Sequence, residues 1–84
     1  MGLAIVEIFM EIEEEFDVTI ADEEASRAET VGQLCELVRT ALKARGDRGI
    51  DPFPRVQKLI SDELGLPIAQ VTPNAHFVRD LGCD

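Results

Sequence analysis

At 84 residues and 9.3 kDa the chain has room for one hydrophobic core and no second, and a domain of this size buries only about 60–65% of its unfolded surface, which suits a bundle of three or four helices better than a deep catalytic cleft. Seventeen acidic against eight basic residues give a net charge of −9, a field that repels phosphate backbones and argues against a nucleic-acid partner. No apolar run approaches the ~20 residues of a membrane span, and two cysteines with one histidine make neither a disulfide framework nor a zinc set.

The opening GLAIVEIFM has no basic segment before it and carries Glu7, unlike a secretory leader, and Val6 stands where a myristoylation signal needs Ser or Thr. The start is therefore expected to belong to the fold, and the chain to be cytoplasmic. Over residues 3–16, Ile5, Ile8, Phe9, Ile12 and Phe16 recur at spacings of three and four, with Glu7, Glu11, Glu14 and Glu15 on the remaining surface. This predicts an amphipathic helix of about four turns. Residues 1–29 hold ten of the acidic residues and one Arg, so the first third presents an acidic face. Such a face either solvates the domain or steers basic protein surfaces toward it.

Asp17 to Ala21 breaks the period, and ADEEASRA predicts a short helix with Asp22 as N-cap and Ala25 and Ala28 inward. Thr30 caps the next helix, whose inward stripe is Val31, Leu34, Cys35, Val38, Ala41 and Leu42, with Lys43 and Arg45 favourably placed near its C-terminal end. On that stripe Cys35 reads as a small core residue and not a reactive thiol. ARGDRGIDPFP, residues 44–54, has the composition of a connector. Pro54 then opens a helix to Leu64 with Val56, Leu59, Ile60 and Leu64 inward, and Gly65 stops it. A long loop follows, with apolar anchors expected at Ile68, Val71, Phe77, Val78 and Leu81. His76 beside Phe77 reads as a surface or half-buried loop residue without a nucleophile near it in sequence.

RVQKLISDELGLPIAQVTPNAHFVRDLGCD, residues 55–84, resembles the first half of the acyl carrier protein family: its first helix, its long loop and the run Asp-Leu-Gly-x-Asp. LAIVEIFMEIEEEFDVTIADEEASRAETVGQL, residues 3–34, resembles the second half: the acidic second helix, the short third helix and the start of the fourth. The resemblance implies an all-α, four-helix acyl-carrier-protein-like bundle in circularly permuted order. One domain spans 1–84, with the family's second half at 1–43, a connector at 44–53 joining the old termini, and the family's first half at 54–84. Nine or so connector residues reach up to ~30 Å, enough to join ends on one side of a bundle. The tidy seam is of the kind made by hand.

In the family a serine follows Asp-Leu-Gly-x-Asp and carries the 4′-phosphopantetheine arm. Here that Asp is Asp84, and counting back from Phe16 the serine's position falls on Gly2, followed by Leu3. Glycine has no hydroxyl, so the resemblance implies that the arm is absent and that Asp84 meets Gly2 in space. The family's partner enzymes present basic patches to the second helix, which here implies docking through Glu7, Glu13 and Glu14 with Val6, Met10 and Leu3 as apolar contacts. The acyl chain of the family enters between the second and third helices, at positions matching Phe77, Ile12, Ile20, Ala25 and Ala28. Expected are a monomer or a helix-exchanged dimer, no enzymatic activity, no bound metal, and either a docking variant of a carrier or a plain acidic interaction module.

Overall fold

The computed structural model describes residues 3–82, and in them the chain is all-α. Four α-helices follow in order, α1 (Leu3–Phe16), α2 (Asp22–Arg27), α3 (Val31–Ala44) and α4 (Phe53–Leu64), with a short 3-10 turn at Ile68–Gln70. Helix α4 is central to the packing: α1 and α3 both lie against it, and α2 rests on α3. The result measures 34 × 25 × 20 Å.

The inward stripes close into one core. Ile5, Ile8, Phe9, Ile12 and Phe16 of α1 are all buried, as are Val31, Leu34, Cys35, Val38 and Leu42 of α3 and Val56 and Ile60 of α4. Each such side chain contributes about 1.5–3 kcal/mol over leaving it in water. Ala41 is only half-buried, and Leu59 and Leu64 pack on the margin of the core.

The helix ends show where local chemistry prevailed. Thr30 accepts from the Gln33 amide at 3.2 Å while the Gln33 side chain accepts from the Thr30 amide at 3.0 Å, a reciprocal cap for α3. Gly65 ends α4 with φ 66°, a left-handed conformation that costs glycine nothing, and Leu66 N–H then reaches back to Ser61 O at 3.1 Å. Helix α4 begins one residue before Pro54, with Asp51 Oδ1 accepting from Phe53 N at 3.1 Å. Asp22 is not the N-cap of α2. Ala21 holds that position in an extended conformation and takes the Ala25 amide on its carbonyl at 2.9 Å, with no side-chain cap. Asp22, Glu23 and Glu24 occupy the first turn instead, where their charges meet the positive end of the helix while staying in water.

The long loop is bound to α3 by its backbone. Val31 N–H donates to Ala75 O at 3.0 Å, Gly32 N–H to Pro73 O at 2.8 Å, and Phe77 N–H to Glu29 O at 2.9 Å, around a single antiparallel bridge between Thr30 and His76. Loop carbonyls thus satisfy amides that a helix N-terminus leaves open. Val71, Phe77 and Leu81 are buried as expected, but Ile68 and Val78 are 50% and 52% exposed. The 3-10 turn carries Ile68 outward while Gln57 Nε2 holds the carbonyls of Ile68 and Val71. Val78 directly follows the inward Phe77 in a tight turn, where neighbouring side chains diverge.

Candidate functional site

Helix α1 has a second face, spaced like the first. Val6, Phe9, Met10 and Glu13 lie three and four residues apart, and together with Ile20, Asp22, Ala25 and Ser26 they line a cavity of about 330 Å3 between α1 and α2. That volume is at the low end of small-ligand clefts. Phe9 forms the floor and meets Phe77 edge-to-face, ring centroids 6.1 Å apart at 70°. Val6 and Met10, 41% and 54% exposed, stand at the rim.

Around this rim the acidic side chains divide. Glu7, Glu11 and Glu14 are exposed on α1, whereas Glu13 is half-buried. Its Oε2 accepts the Ile20 amide at 2.8 Å. A side-chain hydrogen bond with Glu63 on α4 raises the Glu11 pKa above the ordinary glutamate value, aided by slight desolvation and by the charges of Glu63, Glu7 and Glu14. On the far side of the core, burial pushes the Cys35 thiol up to about 11 although Arg39 pulls the other way.

Of the residues implied for an acyl pocket, Ile20 and Ala25 line this cavity. Ile12 and Phe77 lie in the core, and Ala28 lines a separate groove of about 280 Å3 with Leu37, Gln33 and Glu36. The division follows from the end of α2: Ala25 lies within the helix, whereas Ala28 is its extended C-cap, so the two do not share a helical face. Phe9, Asp22 and Ser26 were not anticipated as lining residues, although the spacing of residues 6, 9, 10 and 13 already marks one face. Leu3 opens α1, while Gly2 and Asp84, and with them the expected meeting of the two, lie outside the described residues.

His76 is half-buried in the loop. Its Nδ1 accepts from the amides of Val78 and Arg79, both at 3.2 Å, its own amide donates to Asp80 Oδ2 at 2.8 Å, and Nε2 lies 3.2 Å from Glu29 Oε2. With both ring nitrogens engaged, it organises the 76–81 turn.

Among curated proteins the chain is similar to the acyl carrier proteins of Helicobacter pylori strains G27, HPAG1 and J99, each 50% identical over 32 residues, which are 38% of this chain and 41% of the relative. The chain thus matches about two fifths of the length of these relatives. No protein-family model matches, and no solved structure matches. The similarity relates the chain to acyl carrier proteins, and carrier proteins are not enzymes.

Among the described hydroxyls, Thr30 caps α3, Ser26 Oγ donates to Glu23 O and Ser61 Oγ to Leu66 O, while Thr19, Thr40 and Thr72 are exposed. Finally, no described helix is long and apolar enough to cross a membrane.

Proposed function

We propose that this chain is an acyl-carrier-like scaffold in permuted order. Helices α1, α2 and α3 take the places of the family's second, third and fourth helices, and α4 that of the first. The packing of α4 on both α1 and α3 supports this order, because the 44–53 connector then closes a bundle. With Gly2 at the attachment position the chain is not loaded with phosphopantetheine, and it acts as a docking variant. Glu7 and Glu14, beside Val6 and Met10, offer an acidic rim with apolar points to the basic surfaces of acyl-carrier-dependent enzymes. Each exposed ion pair contributes only about 0.2–1 kcal/mol, so docking is weak and salt-sensitive.

The observation that carries this reading is the apolar cavity of about 330 Å3 between α1 and α2, in a chain 50% identical to acyl carrier proteins over 32 residues. Two measurements test it. Incubation with a phosphopantetheinyl transferase and coenzyme A should leave the mass unchanged, and a gain of one arm would overturn the unloaded state. Titration against a basic acyl-carrier-dependent enzyme should show binding that weakens as salt rises. Absence of any binding would leave a plain acidic interaction module.

A further inference from the structure

We infer that Glu13 is a positioning residue, the latch that holds the α1–α2 cavity shut, and not one of the docking charges. The inference rests on the acyl-carrier-like reading above and takes the cavity, whose lining is mainly apolar, as able to admit an apolar chain.

Glu13 grips the loop after α1 twice. Its main-chain carbonyl accepts Val18 N–H at 3.1 Å, and its carboxylate accepts Ile20 N–H at 2.8 Å in a partly buried setting. A charged acceptor in such a place makes one of the stronger kinds of hydrogen bond. Ile20 is both a core residue and a wall of the cavity. The rest of that wall, Asp22, Ala25 and Ser26, sits on α2, which has six residues and no buried side chain. A helix that short does not hold its own position and depends on what fastens its ends. One end is fastened to α3, where Gln33 Oε1 accepts the Glu29 amide at 2.6 Å. The other end is fastened through Ile20 to Glu13. The wall is therefore hinged at Gln33 and latched at Glu13, and releasing the latch opens the cavity.

Charge and latch are separable, because Glu13→Gln removes the charge and keeps an acceptor while Glu13→Ala removes both. Amide hydrogen exchange at Ile20, referred to Val38 in the core, reads the loop, and the Kd of the neutral dye N-phenyl-1-naphthylamine reads the cavity. Glu13→Ala should speed Ile20 exchange relative to Val38 about tenfold, equivalent to about 1.4 kcal/mol, and tighten dye binding severalfold. Glu13→Gln should stay within about twofold of the parent in both. Equal behaviour of the two variants, or an unchanged Ile20 ratio in Glu13→Ala, would overturn the latch, as would faster exchange with no change in dye affinity. A dye that binds none of the three proteins would instead sink the cavity reading, while the exchange ratio still judges the hold on the loop.

Discussion

Gly32 donates its amide to Pro73 O at 2.8 Å, and a Cβ built on Gly32 would meet that same oxygen at 2.8 Å. The hydrogen bond and the missing side chain are one arrangement: the loop carbonyl sits where any other residue would place a methyl group. Gly32→Ala therefore gains helix propensity, about 1 kcal/mol, but displaces backbone and loses the bond. With overpacking at about 1–3 kcal/mol and a hydrogen bond at about 1, a net loss near 2 kcal/mol is expected. That corresponds to a Tm lower by roughly 10 °C for a domain of this size. A thermal melt in which the Ala variant matches the parent would remove the loop from its place on α3.

Directly after α1, Asp17 has a φ of 53°, a left-handed conformation that few residues other than glycine occupy without strain. Arg45 from the end of α3 donates to the Asp17 carbonyl, with its guanidinium also 3.7 Å from the Asp17 carboxylate, and so holds the two helix ends together. Asp17→Gly is expected to be neutral or slightly stabilising, whereas Asp17→Val should cost about 1–2 kcal/mol. Urea unfolding of the pair tests the order, and a Val variant as stable as the Gly variant would contradict the backbone conformation.

Glu11 offers a pH test. Its raised pKa means that the folded state binds a proton more tightly than the unfolded chain does, chiefly through the hydrogen bond with Glu63. That contribution is fully present below the ordinary glutamate value and is lost as pH rises through the raised one. Glu11→Gln copies the protonated form at every pH. It should therefore melt with the parent in acid and above the parent at pH 7. A Tm gap that shrinks as pH rises would reverse the assignment.

With its thiol pushed up to about 11 and its side chain in the core, Cys35 carries almost no thiolate at neutral pH. In a Cys83→Ser background iodoacetamide should modify the native protein far more slowly than the same chain in urea. Equal rates would show that Cys35 is open to solvent.

Much of this fold is legible in the sequence because helix formation is local. The spacing of Ile5, Ile8, Phe9, Ile12 and Phe16 marks the inward face of α1 within a few residues of chain, and Thr30 and Gly65 act on amides and carbonyls in their own turns. Cys35 follows from its stripe in the same way. Asp22 shows the margin of error of such rules, since the N-cap fell one residue earlier, on Ala21, and left the Asp22 carboxylate in solvent.

The tertiary structure decided what depends on distant approach. Ile68 and Val78 turn outward because the loop's hydrogen bonds to Gln57, Glu29, Val31 and Gly32 set its path, and no period along the chain encodes those partners. Glu7, Glu13 and Glu14 look alike as letters, yet only Glu13 finds the Ile20 amide, seven residues on, once the loop folds back over α1. Within the helices the sequence by itself determined most of the side chains that leave water, because near-neighbour geometry and hydrophobicity are written along the chain. Which polar group serves as latch, cap or free charge was decided only when separate segments met, because a buried amide must take an acceptor from whatever the fold brings within reach.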